Sequence, residues 1–339
     1  MFKHHEFWSP HIFNIPYYLY LAWQCIRQRV GIKTLAKANY CLDHGEIGIG
    51  SKYDTQMAFE QTYFLPTELL KHQLSDGEKQ QRIEAFAKQY NYPVILKSDV
   101  GCVGKGIRKV KNGEELVEAV PLLVGDYLLQ QFTPFNYECG IFYVRSQGQG
   151  RITGFNQKHF PYVVGNGRDS IAVLAKNHER FNHHWQSFLQ YIDTESIPKK
   201  DERVNLSFIG SHTLGCKFTD DTHKLTPALE QAILSFFDKQ PGYNFGRVDV
   251  KAQSEAALLR GEFVIIEVNG VASLPTHMFD PSFSLFKAYS VFFEHARFLA
   301  TIAKEHEAQK MELLSYWQVV KRVKTNQQLL NQAHRQLKE

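Results

Sequence analysis

Two short segments, Phe245-Gly246-Arg247-Val248-Asp249-Val250 and Phe263-Val264-Ile265-Ile266-Glu267-Val268-Asn269-Gly270, constrain the fold more than any other part of this chain. Side chains alternate faces along a strand. Arg247 and Asp249 therefore share one face, Glu267 and Asn269 share another, and Val248, Val250, Val264, Ile266 and Val268 point away into a core. If the two strands pair as a hairpin through residues 251–262, two carboxylates, an amide oxygen and a guanidinium converge. Such an oxygen-rich cluster suits Mg²⁺, which takes carboxylates, phosphate oxygens and waters, with a cation alongside to stabilise developing negative charge. A half-exposed hairpin with a surface ion pair is the alternative that spacing alone leaves open.

A Gly-rich stretch, Lys97-Ser98-Asp99-Val100-Gly101-Cys102-Val103-Gly104-Lys105-Gly106-Ile107, adds a second constraint. The apolar run Pro93–Leu96 before it reads as a strand and Ile107–Val110 as its return. Three glycines between paired strands make a flap whose backbone N–H groups can approach phosphates, with Lys97 and Lys105 bringing positive charge. The stretch lacks the Lys-Ser/Thr ending of a Walker A loop and is not followed by a clear helix.

Read together, PVILKSDVGCVGKGI, YLLQQFTPFNYECGIFYVR, VVGNGRDSI, FGRVDVK and VIIEVNG resemble the ATP-grasp superfamily in the family's order, over residues 45–300. Within it the chain is similar to D-alanine–D-alanine-ligase-like carboxylate–amine ligases, and VVGNGRDSI with LGCKFTDDT resembles the ATP-grasp module of cyanophycin-synthetase-like peptide ligases. The resemblance implies an α+β ATP-grasp fold, two α+β subdomains sandwiching ATP beneath a Gly-rich flap. It implies that Lys97 and Lys52 contact the nucleotide phosphates, that Gly101, Gly104, Lys105 and Gly106 form the flap, and that Gln131 stands at the base-binding hinge. The family usually has Glu at the position of Gln131. Glu138 falls where the family binds the ribose hydroxyls, Asp249, Glu267 and Asn269 where it binds Mg²⁺, and Arg247 where it stabilises the acyl phosphate and tetrahedral species. Arg145, Arg168 and His212 are further candidates for a substrate carboxylate or a base.

The amino terminus departs from that pattern. No βαβ unit precedes Lys52, so residues 1–45 read as a helical region in place of the family's Rossmann-like domain. The run Ile12–Trp23 is shorter than the ~18–20 residues needed to span a bilayer and contains Pro16. With aromatics beside Arg27, Arg29, Lys33 and Lys37, residues 7–37 can lie on a membrane surface, pack on the core or dock across a homodimer. Residues 46–300 read as the ATP-grasp body, with subdomains 46–130 and 131–300. Residues 301–339 read as a helical extension whose terminal amphipathic helix packs on the amino-terminal helices or frays.

A chain of 339 residues, 43% hydrophobic and 13% aromatic, can bury sizeable cores and is not disordered. A net charge of +4 without a basic stripe interleaved with aromatics gives no sign of nucleic-acid binding. Five cysteines without CxxC spacing, Cys102 in the flap among them, read as reduced thiols in a cytoplasmic compartment. The resemblance implies ADP-forming ligation of a small-molecule or peptide carboxylate to an amine, with ATP and Mg²⁺. A small-molecule or lipid-headgroup kinase and a non-catalytic nucleotide-binding partner protein are the alternatives.

Overall fold

Alternating apolar residues assemble two antiparallel sheets, between which the polar residues singled out above collect. The computed structural model describes residues 5–47, 50–101, 104, 106–182, 185–189 and 192–336. The first sheet holds β1 (Thr67–Leu70), β2 (Val94–Ser98), β3 (Ile107–Val110) and β4 (Tyr127–Gln131) in the order β1-β4-β2-β3. Val94, Leu96, Val110 and Leu129 bury one face under the helices Asp76–Tyr90 and Gly113–Ala119. The longer of these starts on a capping box, Ser75 with Glu78, which satisfies backbone donors that a helix start leaves free. Ile95 and Lys97 alternate onto the opposite face.

The second sheet comprises β5 (Tyr137–Ser146), β6 (Gln149–His159), β9 (Lys217–Asp220), β10 (Phe245–Ala252) and β11 (Val264–Asn269), ordered β11-β10-β5-β6-β9. A small ribbon of β7 (Tyr162–Val164) and β8 (Arg203–Asn205) stands apart from it. One face of the large sheet, with Ile141, Tyr143, Phe155, Val248 and Val250, buries against Leu229, Ile233, Phe236 and Phe237 of the helix Pro227–Asp238. The opposite face is apolar only at one end, where Phe142, Val144 and Phe245 meet the helix Leu285–Glu305. Its other end carries Glu138, Asp249 and Lys251 of neighbouring strands, in register with Lys158, Gly140 and Glu138 respectively.

The hairpin expected from sequence forms, with Arg247 opposite Asn269 and Asp249 opposite Glu267. Its connection is not a bare loop but carries the helical turn Glu255–Leu259. A bulge follows Asp249, so Val250 pairs with Ile265 rather than Ile266. Ile265 therefore enters the core, fully buried, while Ile266 faces the cavity described below, correcting the strict alternation expected for this strand.

At the amino terminus the expected apolar run divides at Asn14 into Pro10–Phe13 and Ile15–Arg27. Pro16 sits in the first turn of the second helix, where no intrahelical N–H is lost. Tyr17 stacks on Phe292 at 4.1 Å and Tyr20 on Phe293 at 4.6 Å, so one face of this helix docks on Leu285–Glu305. That last helix runs through residue 300, where sequence reading divided the chain. The terminal helix Tyr316–Gln336 meets the amino-terminal region where Arg322 pairs with Asp43, and its Leu330 lies against Gly101 at the base of the flap.

Two buried histidines make this fold acid-sensitive. His295 contacts Thr153 through Nε2 at 2.9 Å and the Val291 carbonyl through Nδ1 at 2.7 Å. His277 packs edge-on to it at 5.6 Å. Burial lowers His277 to about 4 and His295 to about 3, against an ordinary value of 6.5. Below pH 6.5 the unfolded chain takes up protons that the folded chain refuses. Stability should therefore be full above that pH and fall as pH drops towards 4, by up to about 3 kcal/mol per ring. Denaturant titrations across this range check it. A flat profile, or one unchanged in His277→Asn, would contradict the assignment.

Candidate active site

The polar end of the second sheet and the open face of the first enclose a cavity of about 520 Å³. Both β2 and β10 reach it because their alternate residues point inward. One end is an apolar slot of Leu65, Ile95, Ile107, Phe132 and Ile209, bordered by Gln130 and Gln131 of β4 and by Thr133 after it. Its middle is ionic. Its far end is walled by Trp8, Phe13, Phe218, Leu274 and Phe279.

In the ionic section Asp249 accepts a two-pronged contact from Arg247, Nε to Oδ1 at 2.8 Å and Nη2 to Oδ2 at 3.2 Å. Lys158 Nζ lies 3.1 Å from Asp249 Oδ2 and 2.9 Å from Glu138 Oε1, and Lys251 Nζ lies 3.4 Å from Glu138 Oε2. Lys52 pairs with Glu267. Burial alone would raise the Asp249 and Glu267 carboxyls. The neighbouring cations outweigh it, Arg247 and Lys158 on the first and Lys52 on the second, and hold both below the usual carboxylate range. In this section five cations, Lys52, Lys97, Lys158, Arg247 and Lys251, thus face three carboxylates, Glu138, Asp249 and Glu267, while a fourth carboxylate of the lining, Glu6, is held by Arg180. The positive surplus is an electrostatic trap for a polyanion.

Lys97 is buried among these charges. It bridges the two sheets, donating to Gln130 Oε1 of the first at 3.2 Å and to the Ile266 carbonyl of the second at 3.0 Å. Desolvation lowers it to about 8, only partly offset by Glu267. Its proton is therefore present below pH 8 and lost above. Affinity for a polyphosphate should be full near neutrality and fall as pH rises through about 8 to 9.5, with the midpoint pushed upward by the bound anion. In Lys97→Arg that fall should vanish, because a guanidinium stays charged. Calorimetric titration of ATP across this range checks the prediction, and an identical pH profile in the variant would contradict it.

The flap rests on Asp99. Its carbonyl accepts from the Lys52 backbone N–H at 3.0 Å and its carboxylate from Tyr53 N–H at 2.8 Å and Ser51 Oγ at 3.1 Å. The root of the flap and the helix Lys52–Met57 thus form one unit. Gly104 has φ +77° and lies so close to Ile209 that a Cβ would sit 2.6 Å from its methyl, so only glycine fits there. Gly101 and Gly106 stand at the flap's two ends, while Lys105 and Cys102 lie outside the described residues.

The structure brings Lys52, Lys97, Gly101, Gly104, Gln131, Glu138, Arg247, Asp249, Glu267 and Asn269 to one cavity. Glu138 is not free at its mouth but buried between two lysines. His212 lines the far end, 3.4 Å from Glu6, which Arg180 also holds at 2.9 Å. Arg145 instead donates to the Phe237 carbonyl and pairs with Asp238, away from the cavity, and Arg168 is exposed. Sequence reasoning missed Lys158, Lys251 and Gly140. Gly140 lies opposite Asp249, and a Cβ there would stand 3.1 Å from Arg247 Cδ and 2.7 Å from Asn156 Oδ1. Strand alternation places Lys251 on the face of Arg247 and Asp249, a signal the sequence carried, whereas Lys158 and Gly140 owe their roles to strand register.

Among the described residues no three His, Cys, Asp or Glu side chains cluster as a metal site. A divalent ion would instead rest on Asp249, Glu267 and Asn269. The Asn269 amide fits this, since its nitrogen is buried without a hydrogen-bond partner and the group is not committed elsewhere in the fold. Two carboxylates and an amide are too few donors for Ca²⁺ but suit Mg²⁺, which completes its shell with phosphate oxygens and water.

Residues 66–124, spanning β1 to the helix after the flap, match the family described as the carbamoyl-phosphate synthase L chain, ATP binding domain. No curated protein matches the chain. Solved structures similar to it include D-alanyl-alanine synthetase A from Vibrio cholerae, 11% identical over 78% of this chain and 67% of that one, with a TM-score of 0.42. A bifunctional glutathione synthetase from Pasteurella multocida is 17% identical over 72% of this chain and 36% of that one, TM-score 0.37. The biotin carboxylase domain of a Hydrogenobacter thermophilus 2-oxoglutarate carboxylase, solved with MgADP and bicarbonate, is 17% identical over 80% and 48%, TM-score 0.43. The chain spans from about a third to two thirds of the length of these structures.

Proposed function

We propose that this chain, a member of the ATP-grasp superfamily, is an ATP-dependent carboxylate–amine ligase that works through an acyl phosphate. The positive surplus of the cavity's ionic section carries the reading, because it is fitted to a polyphosphate entering with a divalent ion. In this reading the apolar slot takes the base, and Gln131 and neighbouring backbone groups meet its edge. Glu138, between Lys158 and Lys251, accepts from the ribose or holds those lysines for the phosphates. Lys52 and Lys158 exchange part of their pairing with Glu267 and Asp249 for phosphate oxygens, and Lys97 turns to them from Gln130. Mg²⁺, held by Asp249, Glu267 and Asn269, would supply charge neutralisation between the phosphates when bound.

The carboxylate oxygen of the first substrate takes the γ-phosphoryl group and ADP leaves. An amine nitrogen then attacks the acyl carbon, phosphate departs with the C–O bond's electrons, and the nitrogen loses a proton as the amide forms. Arg247 stabilises negative charge on the acyl oxygen, its guanidinium steadied by Asp249 and by the Leu274 carbonyl at 3.3 Å. No side-chain nucleophile is needed. The walls of the far end, Trp8, Phe13, Leu274 and Phe279, favour substrates with an apolar or aromatic portion.

ATP turnover across a panel of acids, amines and hydroxylated acceptors, with ADP and phosphate measured separately, tests the proposal. Ligation releases phosphate when acid and amine are both present. ADP without free phosphate, given only a hydroxyl acceptor, would mark a kinase and overturn it.

A further inference from the structure

The helix Ile15–Arg27 buries one face and leaves the other without a partner. Ile12, Ile15, Tyr18, Leu19, Trp23 and Ile26 are all exposed, Leu19 at 69% and Ile26 at 77%, although every one is apolar or aromatic. Spacings of three and four residues place them along one stripe. The inward face, with Tyr17, Leu21 and Cys25, is already buried against Leu285–Glu305, so the stripe is not needed for the core. On that neighbouring helix Phe286 is also exposed, at 88%. A patch of this size on one surface marks an interaction site.

Charge identifies the occupant. Between Phe7 and Leu42 the sequence contains no aspartate or glutamate, whereas Arg27, Arg29 and Lys33 are exposed where the helix ends. The Arg27 guanidinium lies 5.4 Å from the Trp23 ring centre, joining the cationic rim to the apolar stripe. Lys287 and Arg297 add positive charge from the packed helix. Glu294, the acid among them, stands 3.8 Å from Arg297. Among the described residues no helix is long and apolar enough to cross a membrane. An apolar and aromatic stripe with an unopposed basic rim has the composition of a helix that lies in the plane of an anionic bilayer.

We propose that this face docks the protein on anionic lipid surfaces, with Leu19, Trp23 and Ile26 inserted among the acyl chains and Arg27, Arg29 and Lys33 at the headgroups. The inference is independent of the reaction proposed above. Phe13 nonetheless belongs both to this amino-terminal segment and to the far wall of the cavity, so docking would bring that end of the cavity towards the lipid surface.

The full chain should co-sediment with vesicles of phosphatidylcholine and phosphatidylglycerol and far less with phosphatidylcholine alone. Leu19→Glu with Ile26→Glu should lower partitioning at least about tenfold, and Arg29→Gln about fivefold. Neither variant touches the cavity, so nucleotide affinity and melting temperature should match the parent and certify the fold. In the unmodified protein, brominated acyl chains should quench tryptophan fluorescence, with the quenching lost in Trp23→Phe. Absence of binding to the anionic vesicles at low salt, or binding that survives the double substitution, would overturn the proposal. So would a dimer in solution that Leu19→Glu converts to monomer without any vesicle binding, because the face would then cover a second copy.

Discussion

Asp249→Asn is expected to reduce turnover at least about 10³-fold. The substitution keeps the side chain's shape but removes the charge that Arg247 and Lys158 surround and on which the metal would rest. Two effects then combine. The ion is held more weakly beside several phosphate charges, and two buried cations lose a shared partner, which costs on the order of 3–5 kcal/mol where a buried pair is broken. Melting temperature should fall with turnover, so a third readout separates chemistry from folding. Metal-free ATP should bind the variant at least as tightly as it binds the parent, because the cavity's positive surplus has grown, while the gain in affinity on adding Mg²⁺ should shrink. Near-normal turnover at saturating Mg²⁺ would remove Asp249 from the site.

Arg247→Lys should lower the turnover rate by about 10²–10³, equivalent to 2.7–4 kcal/mol, with a much smaller change in ATP affinity. Arg247 spends two donors on Asp249 and a third on the Leu274 carbonyl, a fork that an ammonium cannot reproduce. Gly140 leaves room for its methylenes, so a lysine has space but not geometry. ATP binding and turnover measured on the same preparation decide the matter. A variant that binds ATP weakly yet turns over normally at saturation would place Arg247 in the nucleotide pocket and sink its role at the acyl oxygen.

Several elements have causes that are local in the sequence. The helix Asp76–Tyr90 starts on a capping box whose two partners, Ser75 and Glu78, stand three residues apart. The flap is flanked by the two strands expected, and Lys97 ends the first of them on the cavity side. Polar residues at alternate positions on β10 and β11 announced a polar face before any pairing was known. The bulge after Asp249 was not legible, because the ordinary-looking run Val264-Ile265-Ile266 gives no sign of which residue the ladder skips. Nor was Lys158, a single lysine in a strand, whose importance depends on standing opposite Glu138 and within reach of Asp249.

The division between what sequence and tertiary structure decide follows the range of the forces involved. Backbone periodicity and glycine-permitted turns act over a few residues, so the sequence alone determined the polar hairpin, the strands flanking the flap and the apolar, basic-flanked amino terminus. Coulomb interactions in a desolvated cavity depend on distances between residues far apart in the chain, and those are set by strand register and by the seating of one sheet over the other. Only the folded chain could decide that five cations meet three carboxylates, that Lys97 is buried deeply enough to lose its proton near pH 8, and which face of Ile15–Arg27 the core leaves uncovered.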